Sequence, residues 1–149
     1  AVEYLMGMKA DPHIAYADDI YIYDALYIAI KTQNENLVRY FINKGSNVNA
    51  PYNENGLCPL VLSCYHTNTA IPELLLKNKA NVNGVGNLGG DVTYPLIIAI
   101  ENGNENLVKL LLEYGAKTNI TDNIGNTPIE LAREKGLNRI LKLLVQSKH

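Results

Sequence analysis

Apolar residues recur along this chain at the three-and-four spacing of an amphipathic helix, always in short stretches. Leu37, Val38, Phe41 and Ile42 form one such stripe, and Leu107, Val108, Leu111 and Leu112 form another. A shorter and more uniformly apolar run precedes each stripe: ALYIAI at 25–30, PLVLSC at 59–64, PLIIAI at 95–100 and PIELAR at 128–133. Proline suits the first turn of a helix, where its missing N–H has no intrahelical acceptor anyway. Thr127 and Asp24 stand where an N-cap would. Pro72 falls in the first turn after Thr69, so it need not break its helix. Gly103 and Gly136 follow the shorter helices, and Gly45 and Gly115 follow the longer ones, as a left-handed C-terminal residue would. Gln33 and Thr67 occupy the first of these positions in other copies and suit it less well. The pattern predicts alternating short and longer helices, with polar, glycine-bearing segments between the pairs.

The pattern also repeats. NENLVRYFINKGSNVN at 34–49 and NENLVKLLLEYGAKTN at 104–119 align without a gap, and NTAIPELLLKNKANVN at 68–83 is a third copy. Leu26, Leu60, Leu96 and Ile129 follow one another at 34, 36 and 33 residues. One such pair of short helices cannot bury its own apolar face, so the units must stack into a continuous core.

The period, the Pro-Leu that opens one helix, the Leu-Leu that closes the next and the Gly-Ala/Ser-x-x-Asn ending recur together in order. In this the chain resembles the ankyrin repeat family over nearly its whole length. The resemblance implies an all-α solenoid of stacked antiparallel helix pairs with protruding β-hairpin loops. It divides the chain into the second half of a truncated repeat at 1–13, repeats at 14–49 and 50–83, a repeat with a longer finger at 84–119, and a C-terminal capping repeat at 120–149. Because the opening reads as half a unit, the natural chain is expected to continue upstream of Ala1. The family's Thr-Pro-Leu-His segment lacks its histidine throughout: Tyr27, Val61, Ile97 and Glu130 stand there, and Thr127 alone keeps the threonine. The fold should survive, since each cap is worth only about 1 kcal/mol, but at lower stability than a consensus array. The segment VGNLGGDV at 85–92 carries three glycines and predicts a longer, more mobile finger.

Composition narrows the function. Apolar residues make up 47% and charged residues 19%, which excludes a disordered chain. A net charge of −2 and a pI near 5.9 argue against nucleic-acid binding, which needs a clustered positive field. No apolar run reaches the roughly 20 residues that membrane insertion needs. Two cysteines, Cys58 and Cys64, make no disulfide framework and point to a reducing setting, the cytoplasm first, with the nucleus or a host cytosol as alternatives. The sequence carries no signal of oligomeric state.

Nothing in the sequence assembles a catalytic site or a cofactor site. The phosphate-loop, H-E-x-x-H and G-x-S-x-G motifs are absent. His13, His66 and His149 fall at unrelated positions of the repeat, so no shared metal site is expected. Cys58 with His66 is the one conceivable nucleophile–base pair, but no third group supports it; Cys64 reads as a buried thiol. Asn49, Asn83 and Asn119 end the hairpin entries, where asparagine serves turn hydrogen bonding. The family resemblance adds asparaginyl hydroxylation as a second use of these three positions.

What the resemblance implies is recognition of a protein or peptide partner on the concave face of finger tips and short helices. By alignment that face carries Tyr21, Tyr23 and Lys31 in one repeat, then Glu54, Asn55, Leu57, Tyr65 and His66. It continues with Asp91, Thr93, Glu101 and Asn102, and ends with Asn123, Asn126 and Glu134. Tyr21, Tyr23, Leu57 and Tyr65 make one half rich in tyrosine, a residue favoured at interface hot spots. Asp91, Glu101 and Glu134 make the other half acidic. Tyr27, by contrast, is expected to pack between repeats. The expected function is therefore a non-catalytic interaction module; the alternative is the recognition domain of a larger enzyme, channel or secreted effector.

Overall fold

The computed structural model describes residues 16–18, 21–23, 25–52, 56–87 and 91–147, with backbone alone for 16–18 and 21–23. A ribbon comes first, with β1 (Tyr16–Asp18) antiparallel to β2 (Tyr21–Tyr23). Helices α1 (Ala25–Lys31) and α2 (Glu35–Asn43) follow, then α3 (Pro59–Cys64) and α4 (Ala70–Lys77). A second ribbon pairs β3 (Gly86–Asn87) with β4 (Val92–Thr93). It leads into α5 (Pro95–Glu101) and α6 (Glu105–Glu113), and the last pair is α7 (Pro128–Glu134) and α8 (Asn138–Gln146). Each short helix packs on the longer one after it. The short helices also stack on each other in the order α1, α3, α5, α7.

Local chemistry sets the ends of these helices. Pro59, Pro95 and Pro128 open α3, α5 and α7. Asn34 and Asn104 cap α2 and α6, each side chain accepting from the backbone N–H of the third residue on, at 3.1 Å. Thr127 forms a full capping box with Glu130 on α7. At the other ends, Gly45, Lys79 and Gly115 turn left-handed after α2, α4 and α6. That turn lets Ser46, Ala80 and Ala116 each donate back to the carbonyl five residues earlier, at 3.0 Å. Gln33, Gly103 and Gly136 do the same after α1, α5 and α7. Gln33 thus adopts the strained conformation that its side chain disfavours. Thr67 does not: β-branching makes it costly, and α3 ends one residue early through long bonds of 3.4 Å from Tyr65 and His66.

The core is one continuous stack. In α5, Leu96, Ile97, Ile98, Ala99 and Ile100 are all buried, because neighbours cover this helix on both sides. At the matching places α7 carries the exposed Glu130 and Arg133 where α5 carries Ile97 and Ile100. The outer side of α7 is therefore polar where that of α5 is apolar. Tyr27 on α1 meets Tyr52 edge to face, with centroids 5.0 Å apart, and so packs between repeats as expected.

Two substitutions separate these local devices. Thr127→Ala is expected to lower stability by about 1 kcal/mol through the lost cap. Lys79→Gly is expected to raise it by up to about 1 kcal/mol, because glycine carries no left-handed penalty. Urea unfolding followed by circular dichroism checks both; a Lys79→Gly variant no more stable than the parent would contradict the assignment of the strain.

Candidate functional site

The fingers and the C-terminal ends of the short helices converge on one side of the stack. There a cleft of about 170 Å³ opens among Tyr65, Asp91, Val92, Thr93, Ile97, Glu101, Asp122 and Asn123. Tyr65 and Glu101 follow or close α3 and α5, Asp91 to Thr93 lie on the β3–β4 finger, and Asp122 and Asn123 sit on the next finger. Five of these residues, Tyr65, Asp91, Thr93, Glu101 and Asn123, are ones that the repeat alignment places on the concave face. Burial, the Glu101 carboxylate and Cys64 push the Tyr65 phenol up from its ordinary value, so it keeps its proton at neutral pH.

The fingers are tied to each other. The Asn123 amide donates to Asp91 across the repeats at 2.9 Å. Asp122 holds its own turn, accepting from the backbone N–H groups of Ile124 (3.0 Å) and Asn126 (2.7 Å). The Asn126 amide reaches Glu134 at 3.2 Å. Asn102 is also spoken for: its amide donates to the Cys64 carbonyl at 3.4 Å. Asn104 does the same for Thr67 at 3.1 Å. These two asparagines satisfy carbonyls that the early end of α3 leaves open. They thereby hold the segment that carries Tyr65.

Other expected contact residues fare differently. Leu57 is a correction: it is only 1% exposed and belongs to the core, so it offers no surface to a partner. The cause is Gly86 on β3, which lies so close that a Cβ there would stand 2.9 Å from Leu57 Cδ1 and 2.7 Å from Val61 Cγ1. That glycine serves packing of the finger on α3. Together with Gly84 and Gly89 it has the G-x-G-x-x-G spacing of a dinucleotide loop. It opens a hairpin strand, however, and the next element among the described residues is the strand β4 rather than a helix. Lys31 is exposed and lies 5.7 Å from the Tyr27 ring centroid. His66 is half-buried beside Tyr65 in sequence but does not line the cleft. Tyr21 and Tyr23 lie on β2, whose register sets position 16 opposite 23 and 18 opposite 21. The alternation of a strand then puts positions 16, 18, 21 and 23 on one face of the ribbon. Glu54 and Asn55 lie outside the described residues, as do His13, His149 and Asp24.

Asn49 and Asn83 act between repeats. The Asn49 side chain accepts from Asn81 N at 2.7 Å and donates to Lys79 O at 3.0 Å; Asn83 accepts from Lys117 N at 2.8 Å. The turn role falls to Asn47 and Asn81, which accept from the N–H groups of Asn49 and Asn83. Asn119 is exposed and makes no side-chain hydrogen bond among the described residues.

Both cysteines are free thiols. Cys58 precedes α3 and His66 lies beyond its end, roughly 12 Å along the axis at 1.5 Å per residue. The nucleophile–base pair is thus ruled out by geometry. Burial pushes the Cys64 thiol up to about 12 and raises Cys58 as well. Among the described residues, no three His, Cys, Asp or Glu side chains are placed to hold a metal ion. No helix there is long and apolar enough to cross a membrane.

Stacked helix pairs with hairpins projecting to one side define a helical solenoid. The family model described as ankyrin repeats (3 copies) matches residues 1–86 and 83–149, and the chain belongs to that family. Ankyrin repeats are generally protein–protein interaction modules and are not themselves catalytic. Similar proteins include the ankyrin repeat protein YahD of Escherichia coli, 39% identical over half of this chain and 38% of its own length. A protein named as the palmitoyltransferase ZDHHC13 of Danio rerio is 34% identical over 87% of this chain and 19% of its own. An ankyrin repeat protein of fowlpox virus, FPV031, is 35% identical over 72% of this chain and 31% of its own. The chain thus spans well under half the length of these relatives.

Two measurements test the local assignments. Asn49→Ala and Asn83→Ala are each expected to cost about 1 kcal/mol in urea unfolding, and Asn119→Ala nothing; three equal effects would refute the inter-repeat role. Iodoacetamide at about pH 8 should label Cys58 and spare Cys64 in the native protein, since the buried thiol does not ionise there. Mass spectrometry reads the result, and equal labelling would contradict it.

Proposed function

We propose that this chain is a non-catalytic recognition module that binds a protein or peptide partner through its concave face. Its repeat units run over 14–49, 50–83, 84–119 and 120–149, after a half-repeat at 1–13. The observation that carries the proposal is the convergence on one cleft of Tyr65, Asp91, Thr93, Glu101 and Asn123, drawn from two short helices and two successive fingers. The repeat alignment adds Tyr21, Tyr23, Lys31, Glu54, Asn55 and His66 to the proposed surface. Asn102, Asn126 and Glu134 support this surface and border it. Leu57 is left out, being core. The free thiols favour a reducing, cytoplasmic setting.

A second reading makes the array the recognition part of a larger enzyme, channel or effector. The small share of each relative that the chain spans supports it, above all the fifth of a palmitoyltransferase. Both readings use the same face. Of the three hairpin asparagines, Asn119 is the one a hydroxylating enzyme could engage without breaking a bond between repeats.

Affinity capture tests the surface. The full chain and a Tyr21→Ala/Tyr23→Ala/Tyr65→Ala variant are used as baits in lysate of the source cells, with mass spectrometry as readout. The variant is expected to keep its circular dichroism and lose its partner by at least about tenfold, the scale of a hot spot. Equal capture by a folded variant would move the site off the concave face.

A further inference from the structure

Charge is distributed unevenly between the two sides of the stack. On the longer helices the carboxylates mostly have cations at hand: Glu35 meets Arg39 at 3.0 Å, Glu73 meets Lys77 at 2.7 Å and Glu105 meets Arg139 at 3.7 Å. The cleft holds three carboxylates, Asp91, Glu101 and Asp122, and no lysine or arginine lines it. Among the described residues none of the three makes an ion pair. Asp91 and Asp122 accept hydrogen bonds from neutral amides alone. Glu101 makes no side-chain hydrogen bond there, and its carboxylate is exposed. Three like charges around one opening repel each other, and a cation brought by a ligand relieves that repulsion.

The remaining walls say which cation fits. Tyr65 is 40% exposed, and the exposed Val92 adds apolar surface. A bare metal ion gains nothing from such walls, and no three carboxylates converge closely enough to ligate one. A guanidinium on an aliphatic stem uses both parts. Its plane stacks on an aromatic ring, and its fork of N–H donors matches a carboxylate.

We propose that the cleft seats an arginine side chain of the bound partner, its guanidinium plane against Tyr65 and its N–H donors on Glu101, with Asp91 and Asp122 supplying field. This rests on the concave-face reading and adds to it the chemistry of one anchor. Asn102 is a positioning residue here, holding the Cys64 carbonyl and with it the backbone that carries Tyr65.

The probe is N-acetylarginine methylamide, titrated into isotopically labelled full chain and followed by amide chemical shifts. The neutral citrulline analogue is the control. Saturable shifts at Tyr65, Thr93, Glu101 and Asn123 are expected with arginine and not with citrulline. Glu101→Gln and Tyr65→Ala should each weaken binding by about two- to fivefold; Glu101 is exposed, so its variant should fold. Equal response to citrulline, or no saturable shift at these amides, would overturn the proposal. Displacement of the probe by calcium chloride at constant ionic strength would also overturn it, reassigning the cleft to a metal ion. A bound peptide that shifts the same amides while carrying no arginine would remove this inference and leave the concave-face reading standing. A peptide footprint confined to α2, α4 and α6 would remove both.

Discussion

Everything in this molecule depends on lateral burial between repeats. Helices of six to nine residues are too short to persist alone in water. A single antiparallel pair leaves one apolar side bare. The stack α1, α3, α5, α7 supplies the missing cover, and α5, buried all along Leu96–Ile100, shows how complete it becomes. Polar bonds follow the same direction. Asn49 reaches the backbone around Asn81, Asn83 reaches Lys117, and Asn102 and Asn104 reach back to the end of α3. Each repeat is therefore closed by its neighbour, in its core and in its hydrogen bonds.

The proposed binding surface is a by-product of that closure. Stacking puts successive fingers side by side, and so Asn123 can bond Asp91 although they lie 32 residues apart. The same stacking sets Tyr65 near Glu101, close enough for the carboxylate to act on the phenol. Long-helix carboxylates are mostly paired locally, whereas those of the cleft are not. On the proposed reading a partner meets fingers already tied to each other, which limits the ordering cost of binding.

Much of this was legible in the residues. Helical spacing, Pro59, Pro95 and Pro128 at helix starts, the Thr127 cap and the glycine ends are local signals, and the helices follow them. The concave-face positions came from the repeat alignment, and five of them line one cleft. Other features were hidden because they depend on contacts some 30 to 38 residues distant. Leu57 stands alone in a loop with no periodicity, so nothing local marks it as core; a finger closing through Gly86 buries it. Asn49 and Asn83 read as turn residues, but the turn work passes to Asn47 and Asn81. Gln33 accepts the left-handed end that Thr67 refuses, and side-chain branching decides between them.

Native-state hydrogen exchange tests the central claim most directly, that stability is shared between neighbours. If stacking carries the fold, the amides of α3 to α6, covered on both sides, exchange slowest and with one common opening free energy. Those of α8 open at lower cost. Separate opening free energies for α3–α4 and α5–α6, each insensitive to destabilisation of the other by Ile98→Ala, would contradict the account.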